Sequence, residues 1–193
     1  MPDGYIRWYR ERTGTRGFIE QVKYFDAHGL LAIHPDRRVF VMLDVDGNDV
    51  PIGLDEADRL LSLRLGSVSV TWWLSEDVDV VCEYSYEPLG CEIQTFRLDG
   101  LTVREIETIQ DALTAAARAF PASTHALIID CHGVSEPEIW DSLILYGGTR
   151  VPRLPDLVLA RGPVASQLLS ISPKFHGPDI GQGLTRIELR QSA

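Results

Sequence analysis

The spacing of apolar residues changes character near residue 100. Before it, apolar residues recur at every second position, as on strands with one packed face. Residues 5–9 are aromatic and strand-prone. Residues 18–25 and 30–33 flank the turn-forming Asp26-Ala27-His28-Gly29 and are expected as two more strands. Val39, Val41, Leu43 and Val45 alternate up to Asp46-Gly47, a two-residue hairpin signal because both residues tolerate positive φ. Residues 55–65 read as a short helix with Leu60, Leu61 and Leu65 inward. Its first turn holds Asp55, Glu56 and Asp58, where the helix dipole favours acids. Residues 68–74, 80–86 and 91–98 then form an antiparallel meander, one face packed and one wet. Trp72 shares the core side with Val68, Val70 and Leu74. Trp73 therefore joins Ser69 and Thr71, and is expected to be exposed or to pack under the other lobe, with packing against the 102–120 helix as the plain alternative.

After residue 100 the period lengthens. Thr102 and Glu105 form a capping box, in which each side chain satisfies an amide left free at the helix start. Val103, Ile106, Ile109, Leu113, Ala116 and Phe120 make a helical stripe that Pro121 ends. A strand at 126–130 follows, then a helix opened by a second box, Ser135 with Glu138, and running to about 145. A strand at 157–160, a helix entered at Pro163 and a closing strand at 184–189 complete the chain. Residues 146–155 and 172–183, rich in Gly and Pro, read as the long loops. The fold class is α+β: an antiparallel β-rich N-terminal half with a packed helix at about 102–120, followed by an alternating α/β C-terminal half. A chain of 193 residues suits one compact domain, 1–193, with possible lobes at 1–100 and 101–193.

Charge sharpens this picture. Residues 44–99 carry thirteen acids and three bases, a balance of −10 that equals the formal charge of the whole chain. Such a field favours a basic partner and opposes nucleic acid or an anionic membrane at that face. Arginine outnumbers lysine by 16 to 2, a skew typical of GC-rich coding sequence that hints at a bacterial source. Three cysteines without framework spacing argue against a disulfide scaffold. The first residues hold arginines but no apolar core of a leader, and no apolar stretch approaches a membrane span. A cytoplasmic protein is the expectation.

Candidate chemistry is sparse. Asp130, Cys131 and His132 lie where an apolar strand ends, and a thiol beside an imidazole can yield a thiolate nucleophile. Adjacent strand residues point to opposite faces, however, so a small buried Cys between strand-ending residues is the favoured alternative. Residues 44–49 resemble a calcium loop, but Asp49 stands where Gly is needed and Asp55 where a bidentate Glu is needed. No zinc spacing and no phosphate-binding fingerprint appears, so no metal or cofactor is expected. The acidic window offers a better combination, Trp73 with Glu76, Asp77, Asp79, Glu83 and Glu87 on neighbouring strands. An exposed aromatic ringed by carboxylates suits an Arg- or Lys-rich protein. The sequence thus points to a non-enzymatic soluble protein that binds a basic protein through an acidic, aromatic sheet face. By physical analogy this is the work of an immunity or antitoxin-like inhibitor. The alternative is a small cytoplasmic enzyme with a pocket near Asp130-Cys131-His132.

Overall fold

The computed structural model describes residues 4–11, 17–64, 66–87, 90–150 and 152–189. The first elements are β1 (Tyr5–Glu11), α1 (Gly17–Asp26), β2 (Phe40–Leu43), β3 (Asp49–Ile52) and α2 (Leu54–Leu63). Next come β4 (Val68–Trp73), β5 (Asp79–Tyr86), β6 (Cys91–Arg97), α3 (Val103–Ala119) and β7 (Thr124–Asp130). The last are α4 (Pro137–Tyr146), β8 (Leu157–Arg161), α5 (Gly162–Ile171), β9 (Phe175–His176), β10 (Leu184–Arg186) and β11 (Glu188–Leu189). The class is α+β, with an antiparallel β-rich N-terminal region and alternating helices and strands after α3.

Nine strands make one sheet in the order β10-β8-β7-β1-β6-β5-β4-β2-β3, and their pairings are antiparallel. β1, the first strand in the chain, lies inside the sheet between β7 and β6. Ile6 and Trp8 are buried on one of its faces and Tyr5 and Tyr9 on the other, as an interior strand covered on both sides requires. The first face carries the larger core, where α1, α2 and α3 bring Phe18, Phe25, Leu61 and Leu113 against Trp8, Trp72 and Phe96. The second face is covered only in part. There α4 and α5 set Trp140, Leu143 and Leu168 against Tyr9, Ile128 and Val158, and no β4 or β5 residue belongs to that core. On the uncovered stretch Ser69, Val81, Glu83, Ser85 and Thr95 remain partly exposed.

Several elements depart from the expectations above. Residues 18–25 form helix α1, not a strand. Phe18, Val22 and Phe25 are buried at helical spacing, and the partly buried Ile19 and Tyr24 mask that period in the sequence. Residues 30–33 contribute only isolated bridges, Leu31 to Trp73 and Ile33 to Phe40. In α2 the buried residues are Ala57 and Leu61, Leu60 is half-buried, and Leu65 lies outside the described residues. The expected closing strand breaks at the buried Ile187. β10 joins the main sheet, whereas β11 pairs with β9 in a separate two-stranded sheet. The capping box at Thr102 forms with both of its hydrogen bonds. The second box does not form. Glu136 is the N-cap of α4, without a side-chain bond, because the Ser135 hydroxyl is engaged elsewhere.

β3 is one edge of the sheet. The Asp44 amide donates to the Asn48 carbonyl. Counting along the register from that pair turns the Pro51 nitrogen toward the free edge, where the missing N–H blunts further strand addition.

The larger core contains one polar network. Arg10 is only 2% exposed, lies 4.2 Å over the Trp8 ring and donates to Gln21 Oε1 at 2.5 Å. Gln21 and Gln94 exchange amide hydrogen bonds at 2.7 and 2.9 Å, and Gln94 also donates to Glu92 at 2.7 Å. Glu92 approaches the Arg10 guanidinium at 3.7 Å, and burial pulls Arg10 below the usual arginine range. Glu92→Leu is expected to cost about 3–5 kcal/mol in urea unfolding, because a buried guanidinium loses its countercharge. The double variant Arg10→Met/Glu92→Leu should recover most of that loss.

Candidate functional site

At the end of β7 the Asp130 carboxylate is fully buried and organises the loop that follows it. It accepts from the His132, Val134 and Ser135 amides at 3.3, 2.9 and 2.7 Å, and from the Ser135 hydroxyl at 2.7 Å. Ser135 Oγ also accepts from the Trp140 indole at 3.0 Å and lies 2.8 Å from the Tyr5 hydroxyl. These bonds satisfy a carboxylate that would otherwise be very costly to bury. Cys131 is half-buried, its sulfur receiving the Gln110 amide and its backbone N–H donating to Asp156 at 2.7 Å. Burial first, and then the Asp156 charge, push the thiol up to about 11. His132 is 73% exposed, with Nδ1 3.2 Å from Asp156 Oδ1. Thiol and imidazole both lie against Asp156, and no hydrogen bond joins them to each other among the described residues.

The acid and aromatic residues singled out on β4 and β5 do not form one cluster. Trp73 is only 6% exposed, and its ring lies 4.3 Å from the His34 ring. Its backbone exchanges two 2.8 Å hydrogen bonds with Leu31, so the segment before β2 covers it. Trp73 is therefore not exposed, and the ring against it is that of His34, in its own N-terminal half, where the expected cover was the other lobe or the 102–120 helix. Alternation assigns a residue to a face but does not say what lies over that face. Glu76 and Asp77 occupy the exposed turn between β4 and β5, and Asp79 opens β5 opposite Trp73. Glu83 sits mid-strand, accepts from Ser67 Oγ at 2.7 Å and lies 3.6 Å from Arg97. Glu87 follows the strand end and accepts from the Tyr146 hydroxyl at 2.5 Å. Eight residues of extended chain separate Asp79 from Glu87 by about 26 Å.

Some of the window's charge serves local structure. The Asp44 carboxylate accepts from the Asp46 and Asn48 amides at 2.9 and 2.8 Å and from the Asn48 side chain at 3.0 Å. These bonds hold it below the usual carboxylate range and explain the calcium-like sequence as a hairpin turn. Glu56 pairs with Arg59 at 2.6 Å and Asp49 with Arg37 at 3.3 Å.

One concave feature was not anticipated. A groove of about 520 Å³ runs between the start of α4 and the uncovered face of β5 and β6. Cross-strand register builds its floor, pairing Tyr5 with Arg97 and Arg7 with Thr95, which in turn pairs with Glu83. Glu136 and Glu138 form the α4 side, and Asp99 stands at one end. Arg7 is held in place, since its Nη2 donates to Asp141 at 2.7 Å and the Tyr9 hydroxyl donates to the same carboxylate at 2.7 Å. Burial raises the Tyr5 hydroxyl to about 12 and drives that of Tyr9 well above the usual tyrosine range. The available sequence signal was Arg7, a charged residue inside the apolar run of β1, together with the polar positions Glu83, Thr95 and Arg97.

Among the described residues no group of three or more His, Cys, Asp or Glu is placed to hold a metal ion. No described helix is long and apolar enough to cross a membrane. No family model, curated protein or solved structure matches this chain.

The raised thiol has a direct consequence. Peptide-resolved iodoacetamide labelling of Cys131 should stay slow through pH 9 and still be rising above pH 10. An unperturbed thiol would level off after its midpoint at about 8.5.

Proposed function

We propose that this chain is a non-enzymatic binding protein whose acid-rich end of the sheet engages a basic protein, as immunity or antitoxin-like inhibitors do. The acidic window folds as β3, α2, β4, β5 and β6, and with β2 these strands are consecutive neighbours at one end of the sheet. The exposed Glu76, Asp77 and Asp79, together at the β4–β5 hairpin end, carry the reading. Partial burial first, and then the Asp49 carboxylate as a like charge, push Asp79 up. Asp46, Asp55, Glu76, Asp77 and Asp79 have no ion-pair partner among the described residues. A basic surface would relieve this repulsion and be steered toward it over distance. Trp73, being buried, has no part in the contact. The enzyme alternative draws less support, because Asp130, Cys131 and His132 are each committed to other partners.

Asp79 also gives a stability test. Its folded-state pKa lies above the unfolded one, so its ionisation opposes folding at neutral pH. That penalty fades as pH falls through the folded value and is gone below the unfolded one. Asp79→Asn should therefore leave Tm at pH 7 unchanged or raised, with no gain at pH 3.

For binding, a deca-arginine peptide is the probe, with association followed by stopped flow at 20 and 200 mM salt. At low salt Glu76→Gln/Asp77→Asn/Asp79→Asn should slow association by about tenfold, as loss of steering does. The equally neutralising control Glu20→Gln/Glu107→Gln/Asp111→Asn, on α1 and α3, should stay within about twofold. Equal losses in both variants would overturn the reading, since net charge alone would then account for the binding.

A further inference from the structure

We propose that the groove between α4 and the uncovered face of β5 and β6 receives an arginine or lysine side chain of the basic partner. This rests on the binding reading above and gives it a location. Four carboxylates line the groove, Glu83, Asp99, Glu136 and Glu138, against two guanidiniums, Arg7 and Arg97. The two guanidiniums are not equivalent. Arg7 is only 15% exposed and engaged with Asp141, so it belongs to the floor. Arg97 is 61% exposed and reaches Glu83 only at 3.6 Å, a contact that solvent weakens. An incoming guanidinium displaces it readily and takes its place at Glu83.

The remaining surfaces suit the same guest. Tyr5 and Thr95 provide an aromatic edge and a hydroxyl on the floor, suited to the stem and head of a long cationic side chain. The volume lies within the range of sites that hold a small organic group. The entrance is also well placed. Cys82 pairs with Phe96, so Asp79 and Asp99 leave the sheet at the same end. A basic segment drawn to the β4–β5 turn therefore meets Asp99 at the mouth of the groove. An anion would instead face Asp99 and Glu138, which have no ion pair among the described residues, beside Glu83 and Glu136, which Arg97 and Arg150 hold only loosely at 3.6 Å each.

The test uses the full chain, labelled with ¹⁵N, and the deca-arginine peptide at 20 mM salt. The expected result is amide shifts at Glu83, Thr95, Arg97 and Glu138 in addition to those at residues 75–79. Thr95→Trp, which fills the groove, should abolish the first set and keep the second. Glu83→Gln/Glu138→Gln, which alters charge with little change of shape, should raise the dissociation rate about fivefold and change association less than twofold. Shifts confined to residues 75–79 would overturn the groove assignment and leave the binding reading standing. An absence of shifts anywhere would overturn both. Inorganic phosphate serves as the opposing probe, and groove shifts produced by phosphate but not by the peptide would likewise overturn the proposal.

Discussion

The fold depends on the insertion of β1 between β6 and β7. The seven residues of β1 pair with residues 91–97 on one side, and Tyr5 to Arg10 pair with residues 124–130 on the other, with a register shift between Tyr9 and Arg10. These partners lie about ninety and about one hundred and twenty residues away, so loop closure must come before the pairing rewards it. α3 joins the two partner strands and lies across the core face of the sheet, which makes the slot that β1 fills. At the start of β1 a Cβ on Gly4 would lie 2.5 Å from the Cys131 carbonyl oxygen, so only glycine allows that approach. The same strand carries Arg7 and Arg10 to opposite faces, and each meets an acid from elsewhere, Asp141 and Glu92. These two ion pairs are therefore assembled only when β1 is in place.

Coverage of the sheet follows from how much helix the chain supplies to each face. Three helices sit over the first face, and the two ten-residue helices α4 and α5 cover β1, β7, β8, β10 and part of β6 on the second. An antiparallel sheet tolerates a wet face if the residues there are polar. Ser69, Glu83, Ser85 and Thr95 meet that condition, and the edge of α4 against this polar stretch becomes the wall of a groove. The groove is a consequence of incomplete coverage and needs no special local conformation.

The parts of the fold legible in the sequence were those in which one period held without interference. β5 alternates cleanly, and the α3 stripe is bracketed by its capping box and Pro121. α1 was misread because Ile19 and Tyr24, apolar yet only partly buried, filled the gaps in a helical pattern. The last segment was misread because residues 184–189 look like one strand, and only the tertiary bond from the Ile187 amide to the Val158 carbonyl shows where it divides. Ser135 illustrates a similar limit at the candidate site. Its spacing to Glu138 satisfies a capping rule, but a buried aspartate five residues earlier has the stronger claim on its hydroxyl. The groove was illegible because its residues come from β1, β5, β6 and the start of α4, which register alone brings together.

The concentration of charge in residues 44–99 now separates by physical role. Asp44 closes a turn, Asp55 and Glu56 lie in the first turn of α2, and Glu87 is held by Tyr146. Glu83 and Asp99 line a concavity, and Glu76, Asp77 and Asp79 stand at a hairpin end. An exposed group of unpaired acids acts over distances comparable to the Debye length and so governs how fast a cation arrives. Carboxylates in a groove act at contact, where solvent is partly excluded, and so govern how long it stays. Strand β5 carries both kinds, Asp79 at its start and Glu83 four residues on, with Asp99 beyond the end of β6 at the mouth. On the proposed reading, arrival and retention are separable on one surface, which a single compact cluster of acids would not permit.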